Sequence, residues 1–274
     1  MNRAQSPWLH EEVGRRMSGR LQWFKTLPQS WLHWEPRLGG LESHADVQKA
    51  LGAAQCLIED AGDPRAAQRH LSPQEGVWRR LLGPRGPKVA EPGQTVDMVW
   101  ANMALHAWPD PRELMSRWYQ YLHDGGFVMF SCFGPDTLGE LRSIYAKAGW
   151  GQPAHMFTDM HDWGDMLVHE GFAEPVMDME HIELSWSSPQ AMLAELRELG
   201  RNLSNARFRG LRGRQWRASL ESSLAQNLSS GEDHRLKLRF EVVYGHAYRT
   251  SKPVRGDASI SLADMRRMLG QKSA

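Results

Sequence analysis

Three places in this chain hold residue types that do chemistry, at spacings that let them meet. Glu59 closes the apolar run Gln55 to Glu59 (QCLIE), and Asp60 comes next. An acid at the carboxyl end of a strand in an open α/β sheet can accept hydrogen bonds from a ribose diol, so either carboxylate is a candidate nucleotide contact. Asn102 and His106 lie just past a second apolar run, Val96 to Trp100. There the Asn102 backbone and amide can line a pocket, while His106 can polarise a carboxylate or pack against Trp108. Between Arg197 and Arg217, seven arginines (Arg197, Arg201, Arg207, Arg209, Arg212, Arg214 and Arg217) stand against one acid, Glu198. A local cationic patch of this kind steers an anionic partner.

These residues need a scaffold, and Val96 to Leu141 supplies its centre. Val96 to Trp100 is long enough for a buried strand and too short for a helix. Pro109 and Pro111 interrupt regular structure after it, and Pro111 suits a first helical turn. Leu114, Trp118 and Leu122 share one helical face. Asp124-Gly125-Gly126 reads as the helix stop, and Phe127 to Cys132 as the next strand. This strand, helix and strand make a βαβ unit. Ligands bind at the carboxyl ends of such strands, so Ala101 to His106 and Phe133 to Asp136 should face one crevice. Upstream, a helix within Pro7 to Leu27 presents Val13, Met17 and Leu21 or Phe24. After it come a strand at Ser30 to Trp34, a helix from about Ser43 to Leu51, the QCLIE strand and a helix at Pro64 to Leu71. Ser43 is the expected cap of its helix, with Asp46 completing a capping box. Leu71 to Thr95 reads as an irregular connection with a short strand at Lys88 to Ala90. Downstream come a helix capped by Thr158 or Asp159, a strand at Val176 to Trp186, helices at Pro189 to Gly200 and Arg212 to Leu228, and a closing strand at Leu236 to Tyr248. The pattern is α/β with a mostly parallel sheet flanked by helices.

The 274 residues carry a formal net charge of +1, which does not mark the molecule as a whole as a polyanion binder. Its two cysteines, Cys56 and Cys132, make neither a disulfide framework nor a zinc spacing, and no metal site is expected. No apolar run is long enough for a membrane span. The opening stretch has no apolar signal-peptide core, which points to a cytoplasmic protein. Nucleic acid fits the arginines electrostatically, but only Phe208 and Trp216 are interleaved aromatics and no nucleic-acid motif is present.

Three segments resemble a known family. VDMVWANMALHAW, FSCFGPDTLGELR and FEVVYGHAYR are similar to segments of the malonyl-[acyl-carrier protein] O-methyltransferases of biotin synthesis. FTDMHDWGDMLVHEGFAEPVMDMEHIELSW, LRELGRNL and LHEEVGRRMSGRL extend the likeness. It implies a class I methyltransferase-like (Rossmann-like) fold, one domain over 1–249 with a helical insert at about 187–230, and a polar tail over 250–274. The reaction implied is methyl transfer from S-adenosylmethionine (SAM) to a malonyl thioester on acyl-carrier protein or coenzyme A. Where the family has an acid and a glycine-rich loop after its first strand, this chain has Leu32-His33-Trp34-Glu35-Pro36-Arg37-Leu38-Gly39-Gly40. The resemblance therefore assigns SAM to a displaced loop using Glu35, Gly39 and Gly40, with Glu59 and Asn102. A carboxylate acceptor is already ionised at neutral pH, so catalysis is mainly alignment. Arg142, His155 and Arg197 are the candidates to orient it, since arginine forks match carboxylate geometry, and His106 is the candidate catalytic group. The alternative is a weakly active or inactive relative that still binds an acyl carrier or a protein partner.

Overall fold

A computed structural model describes residues 6–72, 86–230 and 233–250. The helices are α1 (Trp8–Gly19), α2 (Pro36–Gly39), α3 (Leu41–Leu51), α4 (Pro64–Leu71), α5 (Pro111–Tyr121), α6 (Gly139–Lys147), α7 (Met160–His169), α8 (Pro189–Leu199) and α9 (Arg214–Leu228). The strands are β1 (Ser30–Trp34), β2 (Gln55–Glu59), β3 (Lys88–Val89), β4 (Val96–Ala101), β5 (Leu122–Phe133), β6 (Phe172–Trp186), β7 (Ser229–Ser230) and β8 (Arg235–Arg249). They form one sheet in the order β3-β2-β1-β4-β5-β8-β6, with β7 pairing β8. The strands from β3 to β5 are parallel, and β8 runs antiparallel between β5 and β6. Strand order reverses between β1 and β4, which makes the carboxyl ends of those two strands the place for a ligand.

Alternation along the strands builds a core on each face. Trp31 joins the cluster under α1 and α3, whereas Leu32 and Trp34 join the one under α5 and α7. Leu9, Val13 and Met17, four residues apart, are fully buried on α1, and Leu21 in the adjoining short 3-10 turn is 1% exposed. Side-chain caps fix three of the later helix starts. Asp110 accepts from the Arg112 and Glu113 amides, Asp159 from His161, and Ser188 from Ala191. The loop after β5 is pinned to β8, because Asp136 N donates to Glu241 Oε2 at 2.7 Å and Gly134 N to the Glu241 carbonyl at 2.9 Å.

Two sequence expectations are corrected. Helix α5 ends at Tyr121, before Asp124-Gly125-Gly126, because the buried Leu122 already pairs with Val96 in the sheet. The two glycines instead sit at the register shift between Val96 and Met98, with Gly125 at φ 86°. Helix α3 starts at Leu41, so Ser43 lies inside its first turn and is not its cap. The expected polar tail beyond Thr250 falls outside the described residues, as does the middle of the Leu71 to Thr95 connection.

Candidate active site

The residues assigned to a cofactor do come together. Glu35 follows β1, Glu59 ends β2 and Asn102 follows β4, so the topology alone brings three loops to one crevice. The chain then fills that crevice itself. Pro36 opens one helical turn, α2, in which Leu38 N and Gly39 N donate to the Glu35 carbonyl and Gly40 N to that of Pro36. The amides that a glycine loop offers a ligand are spent inside the turn. The buried Asn102 amide nitrogen donates to the carbonyls of Gly39 and, at 2.7 Å, of His10. Its oxygen accepts from Ser131 Oγ at 2.6 Å, and His10 Nδ1 donates to the Leu38 carbonyl at 2.8 Å. A Cβ at Gly39 would lie 2.6 Å from the Asn102 carbonyl oxygen, so this glycine is required by the chain's own backbone.

The start of α3 is taken in the same way. A helix N-terminus is an anion site. Here the anion is Glu11 of α1, whose carboxylate accepts from the amides of Leu41 (2.7 Å), Glu42 (3.1 Å) and Ser43 (2.8 Å). Gly40, at φ 138°, lies directly beneath that carboxylate.

The acids at the end of β2 are also partnered. Arg37 forms a two-pronged pair with Asp60, at 2.9 and 2.5 Å, and the Asp60 side chain is 2% exposed. Burial alone raises the Asp60 carboxyl, but Arg37 and the amides of Asp63 and Gly62 outweigh it and hold it below the usual range. Glu59 receives Arg117 at 3.6 Å and the Tyr121 hydroxyl at 3.3 Å. Arg117 in turn lies 4.9 Å over the ring of the fully buried Trp34. Glu35 sits in the left-handed region at φ 52° and accepts from Ala61 N at 2.7 Å. Burial, reinforced by Asp60 and Glu59, pushes its carboxyl up to about 7. Below the crevice, His33 and His44 stack with their Nδ1 atoms 3.0 Å apart. Burial depresses both, His44 to about 4, so both rings are neutral at pH 7. His33 stands where the resemblance expects an acid.

As folded, this crevice does not fit SAM. Its carboxylates, its glycine-loop amides and its helix N-terminus are all engaged by side chains and carbonyls of the chain. Two cavities among the described residues lie elsewhere, and neither is lined by Glu35, Gly39, Gly40, Glu59 or Asn102.

One of those cavities, about 440 Å³, opens at the ends of β4 and β5, among Leu105, His106, Trp108, His155, Phe157 and Leu203. His106 packs against Phe133 at 4.4 Å and Phe157 at 5.8 Å, so its expected partner Trp108 is replaced by these rings. Phe133 N donates to His106 Nδ1 at 3.3 Å, which leaves the proton on Nε2. Burial, with His10 and His155 nearby, keeps this imidazole neutral. His155 is at the cavity wall, but both its ring nitrogens are used. Nε2 donates to the His106 carbonyl at 2.9 Å, and Nδ1 accepts from Leu203 N at 3.4 Å. Arg142 donates to the carbonyls of His155 (2.8 Å) and Ala154 (3.3 Å), tying that wall down. Arg197 is exposed on α8 and lines neither cavity, so it is not brought to the site.

The sequence reading missed the residues that fill the crevice: His10, Glu11, Trp34, Arg37 and Arg117. Periodicity marks the apolar face of α1 but says nothing of a carboxylate that caps a helix thirty residues on. The one visible signal was Arg37 beside Pro36, in a loop that faces two acids.

A family model described as "Methyltransferase domain" matches residues 64–130. In solved structures the fold is shared with a candidate methyltransferase of Bacillus halodurans, at TM-score 0.54 and 14% identity over 88% of this chain and 100% of that one. The YcgJ protein of Bacillus subtilis has the same TM-score at 10% identity, over 86% of this chain and 99% of its own. The malonyl-[acyl-carrier protein] O-methyltransferase of Nitrosospira multiformis is 33% identical over 97% of this chain and 89% of its own length. That of Gallionella capsiferriformans is 38% identical over 92% and 87%. With likeness of that degree along nearly its whole length, the chain belongs to the malonyl-[acyl-carrier protein] O-methyltransferase family.

Proposed function

We propose that this chain acts on a malonyl group carried as a thioester by acyl-carrier protein, and that its reaction is O-methylation of the free malonyl carboxylate, with SAM as the methyl donor of the family. The observation that carries this reading is the likeness to proteins of that name over 97% of the chain. Esterification removes the one charge that the acyl group bears.

The acceptor half of the crevice is consistent with that substrate. Its wall mixes the apolar side chains Leu105, Trp108 and Phe157 with two imidazoles, His155 and the neutral His106. A neutral Nε2–H donates a hydrogen bond to a carboxylate oxygen without pairing its charge, so the acceptor stays nucleophilic. His155 and Arg142 hold the wall and are positioning residues. Leu203, on the rim, lies in the loop between α8 and α9 that carries part of the arginine cluster. In that cluster Arg212 is clasped between Phe208 at 4.1 Å and Trp216 at 4.3 Å, Arg207 donates to the Asn202 carbonyl at 3.4 Å, and Arg217 pairs with Glu221 at 2.8 Å. Arg201, Arg209 and Arg214 are exposed and make no such contact among the described residues, and are left to meet an acidic carrier.

A second reading, docking of the carrier without methyl transfer, is favoured by one observation, the filled crevice at β1 and β2. Intact-mass measurement separates the two. Malonyl-carrier incubated with the chain and SAM gains one methyl group in the first reading and none in the second. An acetyl-carrier, which has no free carboxylate, gains none in either. A chain that neither docks nor methylates malonyl-carrier overturns both.

A further inference from the structure

The crevice at β1, β2 and β4, where the strand order reverses, is closed by complementary parts of the chain itself. Three clasps close it. Glu11 spans the first amides of α3 at 2.7 to 3.1 Å, where an outside carboxylate would otherwise be held. Arg37 takes Asp60, and Arg117 with the Tyr121 hydroxyl lies against Glu59, so both acids at the end of β2 have partners within the chain. Asn102 binds Gly39 and His10 together, and the Gly39 backbone lies so close to the Asn102 carbonyl that not even a Cβ fits between them. Beneath them Trp34, Met103 and His33 are fully buried.

These clasps come from separate parts of the sequence: α1, α2, α5 and the loop after β4. Each satisfies buried polar groups that would otherwise be costly. Two of the loops also hold non-glycine residues in the left-handed region, Glu35 at φ 52° and Met103 at φ 53°. Strain of that kind persists only where the surroundings enforce it.

We infer that the folded chain, by itself, excludes SAM from the crevice at β1, β2 and β4, because Glu11, Arg37 and the α2 turn occupy it. The inference rests on the family reading for the identity of the excluded ligand. Methyl transfer by this chain therefore waits on withdrawal of α2 and release of Glu11 and Arg37.

The test is equilibrium titration of SAM into the full chain, alone and with malonyl-carrier bound. Circular dichroism reports the fold, and carrier docking is measured on the same sample. The expected result is no saturation by millimolar SAM in the chain alone. Saturable binding in the micromolar range, competed by S-adenosylhomocysteine, overturns the inference. The double variant Glu11→Ala, Arg37→Ala is expected to bind SAM at least tenfold tighter than the parent. A folded double variant that still excludes SAM overturns the assignment of the exclusion to Glu11 and Arg37. The two readings fail separately. A chain that binds SAM tightly loses this inference and keeps the proposed function. One that excludes SAM and also ignores malonyl-carrier keeps the inference and loses the function.

Discussion

Two neighbouring parts of the same sheet end have been treated in opposite ways. At β4 and β5 a cavity of about 440 Å³ stays open, its wall held by His106 Nδ1 and both His155 ring nitrogens bonding to backbone. At β1 and β2 the equivalent space is occupied by a helical turn, two guanidinium groups and a carboxylate from α1. The fold makes both spaces by the same rule, since loops leave the carboxyl ends of parallel strands on one side. Residue choice decides which stays open. Topology thus marks where a ligand can bind, and the local hydrogen bonding decides whether it does.

The largest expected effect is on the closed side. Glu35, with its carboxyl pushed up to about 7 by burial, stays protonated in the folded state over a range where the unfolded chain has lost the proton. Its stabilising contribution is full below about 4.5 and lost as pH rises through 7, about 3 kcal/mol in all. His33 and His44 act in the opposite sense. Burial depresses both, which gives stability that is present above about 6.5 and lost as pH falls, for His44 through about 4. The parent's own pH profile is a compensation, so the variant difference is the readout. Glu35→Gln keeps the acceptor for the Ala61 amide, and should gain about 2.5 kcal/mol over the parent between pH 5 and pH 8 in urea unfolding. An unchanged difference would mean that Glu35 is solvated and the crevice open.

Next in size is Arg37→Ala, which leaves Asp60 buried without its cation. A loss of about 2–3 kcal/mol is expected at pH 7, read from the urea midpoint. Asn102→Ala comes after it at about 2 kcal/mol, because the Gly39 carbonyl and Ser131 hydroxyl lose their partner. Either variant at the parent's stability would show that its clasp does not hold the crevice closed.

The open side should show small stability effects and larger binding effects. Replacing Arg201, Arg209 and Arg214 by alanine should weaken malonyl-carrier binding about tenfold at low salt, with little change near 1 M salt, where exposed charges are screened. Arg212 is a poor choice for that test, because it also holds Phe208, Trp216 and the Trp150 carbonyl. His155→Ala should cost about 1 kcal/mol of stability or less and loosen the Leu203 rim.

Much of the frame was legible in the sequence. The βαβ unit at Val96 to Cys132, the face of α1 and the Asp159 cap all follow from periodicity and turn chemistry, which act over a few residues. The meeting of Glu35, Gly39, Gly40, Glu59 and Asn102 followed from topology. What those residues do there was not legible. Glu11 meets Ser43 across 32 residues and Asn102 meets His10 across 92, and no local pattern encodes such pairings. Glycines at Gly39 and Gly40 read as room for a ligand, when they are room for Asn102 and Glu11. Arginines read as carboxylate ligands for the same reason, although Arg142 binds carbonyls of its own chain and Arg197 lies outside the site.

Amide hydrogen exchange tests the central contrast in one experiment, because it reports the two ends of the crevice separately. The chain is exchanged alone, with SAM and with malonyl-carrier. SAM is expected to leave protection at Glu35 to Ser43 unchanged, while malonyl-carrier slows exchange at His155 to Phe157 and Leu203 to Asn205. Protection of Glu35 to Ser43 by SAM alone, with no effect of carrier on the cavity rim, would contradict the contrast between a closed and an open end.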